Sequence, residues 1–278
     1  MNIGIVGLGL IGGSIGLKLQ SLNHTVYGVT NNDLNEIKAK ERKLANIISQ
    51  DYKILENCSI IILALPIKNL INPSKNLIEA IPTKAILTDV GSVKVPIIKT
   101  WEKIHDLFIG SHPMAGTEKK GVNAGKIELF DNSKWVITPT NRTDQIALKT
   151  LSKLFKNMGC DICFENPDIH DQAVANISHL PIYLASCLIE TAYCKSNKDL
   201  FNLSGKLAAT GFSDTSRVGG GNPILGVDLA ENNTINILNS IKNFKKNISE
   251  IEKIFEERNW DVLEAKLKKG QEWRQHFC

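Results

Sequence analysis

Four segments of the 278-residue chain carry side chains suited to catalysis. In Gly110-Ser111-His112-Pro113-Met114-Ala115-Gly116 a histidine follows a short apolar run and is held by a proline in a glycine-flanked loop. Imidazole titrates near neutral pH, so a histidine at such a point suits general acid or base work. Asp89-Val90-Gly91-Ser92-Val93-Lys94 follows another apolar run. That puts Ser92 just past the carboxyl end of a strand, where open α/β sheets gather their ligands. Asn176-Ile177-Ser178-His179-Leu180-Pro181 sets His179 in an otherwise apolar helix, a position that also suits a hydrogen-bonded core histidine. Finally, residues 211–223 place Arg217 among polar residues and a glycine run. Its guanidinium fork matches a carboxylate bidentately, while capping of helix carbonyls is the plainer use.

A cofactor for this chemistry is indicated at the start of the chain. Gly7-Leu8-Gly9-Leu10-Ile11-Gly12 follows the apolar run 3–6 and opens a helical stretch over 13–21. Gly7 serves the tight turn, Gly9 lets the backbone approach a pyrophosphate, and Gly12 permits close helix packing. Unpaired N–H groups at the helix start then face the phosphates. The second strand ends Gly28-Val29-Thr30-Asn31-Asn32, and the first acid, Asp33, comes later than the carboxylate that normally receives the ribose of NAD. Thr30 and Asn31 therefore favour NADP, although no arginine stands there for the 2′-phosphate, and NAD with Asp33 in a tight loop is the alternative. Leu65 and Pro66, closing the run 59–65, and Ser92 complete the expected cofactor contacts.

These residues need elements to hold them. Short β-rich runs at 3–7, 25–29, 59–65, 85–89, 107–110, 134–138 and 161–164 alternate with amphipathic stretches, which predicts a mostly parallel, doubly wound α/β sheet. After about residue 165 the texture becomes helical. Residues 173–193 are alanine-rich, and Ile237, Ile241, Phe244, Ile248, Ile251 and Phe255 form one helical stripe that fits packing inside the domain or against a second copy. Two domains are expected, 1–165 and 166–278, in keeping with the length. The 33 basic residues exceed the 29 acidic ones by only four, and only five are arginines, so no nucleic-acid partner is expected. The longest apolar run, 60–66, is far short of the ~18 residues of a membrane span, and the first residues lack a basic leader. A cytoplasmic protein is expected, its six cysteines mostly free thiols. Cys160 and Cys163 have the spacing of half a zinc site, but strand alternation sets them on opposite faces, and no metal is assigned. With Cys278 as the last residue given, no prenylation through a four-residue terminal motif is expected.

Taken together, the motifs resemble the prephenate/arogenate dehydrogenase family, and most of all its cyanobacterial-type arogenate dehydrogenases. The matching segments are GLGLIGGS at 7–14, DVGSVK at 89–94, GSHPMAGTE at 110–118, HDQAVANISHLP at 170–181 and GFSDTSRVGGGNP at 211–223. The resemblance implies a Rossmann-type domain followed by an all-helical dimerisation domain, a homodimer, and oxidative decarboxylation of a cyclohexadienyl substrate. It also implies that His112 accepts the proton of the ring hydroxyl, with Ser92 supporting it beside the nicotinamide. His179 and Ser213 would line the substrate pocket, and Arg217 would bind a substrate carboxylate.

One departure bears on the substrate. Many prephenate-using members read His-Leu-Pro-His, whereas position 182 here is Ile, as in arogenate-using members. Arogenate carries an ammonium where prephenate carries a keto group, and Asp214 is the candidate carboxylate for it, helix capping being the other use of that residue. The expectation is therefore L-arogenate with NADP. The alternatives are prephenate with NAD, a Rossmann dehydrogenase of the β-hydroxyacid type, and a cofactor-sensing protein without catalysis.

Overall fold

In β1 (Asn2–Val6), Ile3 and Ile5 enter the core on one face of the sheet and Val6 enters the core on the other. Ile60 and Ile62 of a neighbouring strand join the first core, Ile61 and Leu63 the second. Continuous apolar runs of this kind belong to central strands covered on both sides. The computed structural model describes residues 1–117, 119–193 and 197–277; Glu118, Cys194 and Cys278 lie outside them.

The first part of the chain runs β1, α1 (Leu10–Ser21), β2 (Thr25–Val29), α2 (Asp33–Glu41), β3 (Ile47–Ser49), β4 (Ile60–Leu63), α3 (Ile67–Ile71) and α4 (Lys75–Ala80). It continues through β5 (Ile86–Asp89), α5 (Val95–Trp101), β6 (Phe108–Pro113), β7 (Lys134–Thr138), α6 (Gln145–Asn157) and β8 (Asp161–Phe164). The eight strands form one sheet in the order β3-β2-β1-β4-β5-β6-β7-β8. Strands β1 to β6 are parallel, β7 is antiparallel to β6, and β8 is parallel to β7. This is the doubly wound Rossmann-type sheet with a reversed pair added at one edge. Trp135 stacks on Phe155 at 4.0 Å between ring centroids and fixes α6 against that pair. Cys160 is buried and Cys163 exposed.

Two features differ from the sequence reading. The edge strand β3 was not anticipated, because its three residues are too few to show alternation. His112 lies within β6 rather than in a loop after it. Antiparallel pairing of Ser111 with Ile137 and of His112 with Val136 carries the strand on to Pro113, so partner pairing overrides the loop-like composition.

Beyond β8 the described chain is helical: α7 (Pro167–Val174), α8 (Leu180–Ala192), α9 (Lys198–Leu207), α10 (Thr210–Ser216), α11 (Pro223–Asn232), α12 (Thr234–Glu256) and α13 (Trp260–Arg274). Asn166 caps α7 by accepting from the N–H groups of Asp168 and Ile169. Helices α7 and α8 form one continuous run joined by a π-turn at Ala175–His179. Pro181, which lacks an N–H, falls just past this turn, and such turns mark places where the ordinary ladder is interrupted. By length and composition alone the run Pro167–Ala192 could cross a membrane. Leu229 of α11 is buried in the second core of the sheet domain, so the helical part is docked on the Rossmann part.

Candidate active site

The carboxyl ends of β1, β4, β5 and β6 lie side by side, and the candidate residues follow that edge. At β1 and β4 there is a cavity of about 450 Å³ lined by Gly7, Leu8, Gly9, Thr30, Asn31, Leu65 and Pro66 among others. Gly7 turns at φ +96°, a left-handed conformation open to glycine. A Cβ on Gly12 would collide with the Gly7 carbonyl, whereas a Cβ on Gly9 would meet nothing within 4 Å. Gly12 therefore serves packing, and Gly9 leaves open the space a pyrophosphate needs at the start of α1. Leu10, Ile11 and Gly12 form the first turn of α1, so the helix starts three residues earlier than its sequence pattern suggested. Among the described residues the buried Thr30 hydroxyl has no hydrogen-bond partner. An orphaned polar atom beside an open glycine cradle fits a dinucleotide ribose and phosphate. Asp33 is held away by Gln50, whose amide donates to it at 2.7 Å, while Asn32 caps α2.

Two strands along, Asp89 at the end of β5 accepts from the backbone N–H groups of Gly91 at 2.8 Å and Ser111 at 3.1 Å. The Lys94 ammonium, fully buried, donates to Asp89 and to the Ser111 carbonyl, the latter at 2.6 Å. This knot locks the turn bearing Ser92 onto β6 just before His112. Ser92 is half-buried in that turn and makes no hydrogen bond to His112 among the described residues.

His112, also half-buried, reaches across to the helical domain. Its Nδ1 is 3.0 Å from Nε2 of His170, and Nδ1 of His170 is 2.8 Å from Oδ1 of Asp171. The Asp171 carboxylate also accepts from the backbone N–H groups of Lys94 at 2.7 Å and Val95 at 2.9 Å. Burial holds the His112 imidazole well below its ordinary pKa, and neighbouring His170, Lys94 and His179 push the same way. His112 is accordingly neutral at pH 7, the form in which a base can take a proton.

His179 sits on the π-turn, 1 % exposed. Asn233 donates its amide to the Asp171 carbonyl at 2.8 Å and lies 3.2 Å from His179 Nδ1, which leaves Nδ1 as acceptor. The proton of the neutral ring is then on Nε2, a buried donor with no partner among the described residues. Burial lowers its pKa to about 4.

The third group behaves differently. Ser213, Asp214 and Arg217 are exposed, on α10 and the 3-10 turn after it, which pack against α8. Among the described residues no hydrogen bond or ion pair links them to the histidine cluster. Thus the fold gathers His112, Ser92 and His179 near one junction and leaves Arg217 exposed on the turn that packs against α8. It also recruits His170, Asp171, Lys94 and Asn233, which the sequence reading gave no role. The one available signal was that His170 and Asp171 head the segment ending in His179.

A Rossmann sheet with a glycine-lined nucleotide cavity and a neutral histidine at the domain junction defines an oxidoreductase that uses a nicotinamide cofactor. Residues 15–164 match the family model of the prephenate dehydrogenase nucleotide-binding domain, and 166–269 that of the prephenate dehydrogenase dimerization domain. The chain belongs to the prephenate dehydrogenase family. It is similar to the crystal structure of Synechocystis arogenate dehydrogenase, at 36 % identity, with a TM-score of 0.86 and complete coverage of both chains. It also superposes on Aquifex aeolicus prephenate dehydrogenase in complex with hydroxyphenyl propionate and NAD+, at TM-score 0.92 and 28 % identity, over 100 % of this chain and 98 % of that one. The prephenate dehydrogenase of Lactococcus lactis subsp. cremoris is 30 % identical over 98 % of this chain and 76 % of its own length.

Proposed function

We propose that the protein oxidatively decarboxylates L-arogenate to L-tyrosine with NADP. The observation that carries this reading is the row of groups along the sheet edge: the cradle at Gly7 and Gly9, then Leu65, Ser92 and His112, on adjacent strand ends. Strands are spaced about 4.8 Å apart, so a substrate beside His112 lies within reach of the nucleotide cavity. A nicotinamide held in the cavity would supply the acceptor for the hydride that leaves ring C4. His112 Nε2 takes the proton of the ring C4 hydroxyl, Ser92 supports that hydroxyl, and loss of the ring carboxylate as CO2 aromatises the product. Positioning the substrate and removing one proton are the tasks left to the chain. His179 offers its Nε2–H, which has no partner among the described residues, and Arg217 with Ser213 meets a substrate carboxylate.

For arogenate speak Ile182, where many prephenate users have a second histidine, and the likeness to the Synechocystis enzyme named for arogenate. Asp214 is assigned to the substrate ammonium. For NADP speak the neutral Thr30, Asn31 and Asn35 lining the cavity, and Asp33 engaged by Gln50. Prephenate with NAD is the second reading, favoured by the absence of Lys or Arg among the residues that line the cavity. Residues 1–165 would hold the cofactor, and 166–278 would supply substrate contacts and a homodimer interface. Exposed Phe201, Leu207, Ile224, Phe255 and Leu267 support such an interface. A cytoplasmic location accords with α7, whose Asp171 is hydrogen-bonded to the Rossmann domain rather than free to enter lipid. Product analysis tests the reaction: tyrosine and CO2 should form one for one with reduced cofactor, and reduction without CO2 would refute it.

A further inference from the structure

A base must present a lone pair to the proton it removes, and the contacts behind His112 decide which of its nitrogens has one. We infer that His170 and Asp171 are positioning residues that fix His112 as the tautomer protonated on Nδ1, so that Nε2 offers its lone pair to the substrate hydroxyl. This inference rests on reading His112 as the base.

The hydrogen-bond pattern makes the assignment. Asp171 faces three N–H groups: those of Lys94 and Val95 in the backbone and Nδ1 of His170. An ionised carboxylate is an acceptor only, so His170 Nδ1 carries a proton. His170 is 3 % exposed, and in the neutral ring its other nitrogen holds the lone pair. His170 Nε2 therefore accepts, and His112 Nδ1 must donate across the 3.0 Å contact. Two lone pairs facing each other there would leave a buried hydrogen bond unmade, which folded proteins avoid.

The same chain disposes of the proton. When the substrate O–H proton moves to His112 Nε2, the ring becomes imidazolium, and its Nδ1–H strengthens as a donor to His170 Nε2. If that second proton crosses, His112 is neutral again with its proton on Nε2, and the positive charge rests on His170 against Asp171. One proton enters, one is displaced, and no electrons are transferred. The charged and titratable groups facing the pair are Asp171 on α7, Lys94 ahead of α5, Asp89 at the end of β5 and His179 on the π-turn. Asp171 stabilises the incoming charge and Lys94 opposes it. Because His112 comes from β6 and His170 from α7, the base is oriented only when the two domains are docked.

The test compares His170→Gln, whose amide oxygen can accept in place of Nε2, with His170→Phe, a ring of similar size without an acceptor. His170→Gln should keep kcat within about tenfold of the parent, and His170→Phe should lower it by about 10² or more, with both KM values within ~3-fold. Equal kcat values for the two variants would overturn the inference. Nitrogen NMR of histidine-labelled full-length protein, with the His112 signal identified by its loss in His112→Asn, decides the tautomer without any turnover. Protonation at Nδ1 in the parent and in His170→Gln is expected; protonation at Nε2 in the parent would overturn the inference. An Nδ1-protonated His112 in a protein that turned over no cyclohexadienyl substrate would refute the proposed function and leave the positioning role standing.

Discussion

Nδ1 of His112 on β6 stands 3.0 Å from Nε2 of His170 on α7, and this contact joins the Rossmann domain to the helical domain at the candidate active site. Both domains therefore contribute to holding the His112 imidazole. The knot of Asp89, Lys94 and Ser111 fixes His112 from one side, while Asp171 ties α7 to the start of α5 from the other.

Replacement of His112 by Asn should lower kcat by about 10² or more, the usual range for loss of a general base. The KM for cofactor should stay within ~3-fold, since His112 does not line the nucleotide cavity. Steady-state kinetics checks this, and turnover near the parent rate would remove His112 from the reaction.

Two glycines of one motif should respond in opposite ways. Gly9→Ala places its methyl in open space, so the thermal midpoint should hold while the cofactor KM rises about tenfold or more. Gly12→Ala drives a methyl into the Gly7 carbonyl and should cost about 1–3 kcal/mol, lowering Tm by roughly 2–10 °C. Calorimetry beside cofactor titration separates the two.

Arg217→Ala should chiefly raise the substrate KM, by about 10- to 100-fold for a lost charge-assisted hydrogen bond of ~1.5–3 kcal/mol, with Tm unchanged because the side chain is exposed. Asp214→Asn should lower the arogenate-to-prephenate ratio of kcat/KM. An unchanged ratio would take Asp214 out of substrate choice.

Stability should depend on acid through the buried histidines. His179 is held at about 4 against 6.5 for a free ring, and His112 is lowered as well. Below pH 6.5 the unfolded chain binds protons that the folded one refuses, so stability is full above that pH and is lost as pH falls toward 4. At ~1.4 kcal/mol per pKa unit the His179 share is on the order of 3 kcal/mol. Urea midpoints measured between pH 7 and 4 should show this decline, and His179→Gln should reduce it.

The sequence made the sheet legible where apolar, β-branched runs stand between turn residues, as in β1, β2, β4 and β7, and it missed the three-residue β3. His112, Ser92 and His179 could be singled out because each has unusual neighbours in the chain. His170 and Asp171 were silent for a physical reason: their partners, His112 and the α5 backbone, lie more than 50 residues away, and only tertiary docking reveals the contact. The same holds for Lys94, which reads as one more lysine of a lysine-rich chain and is fully buried on Asp89. Arg217, conspicuous in sequence, is exposed and has no charge partner among the described residues, so its role is legible from neither sequence nor contacts.

The most direct measurement of the whole account is kcat/KM for L-arogenate and prephenate, each with NADP and with NAD, read from formation of reduced nicotinamide. L-arogenate with NADP should exceed every other pairing by about tenfold or more. A clear preference for prephenate with NAD would overturn the specificity, and no reduction with any of the four pairings would contradict the function.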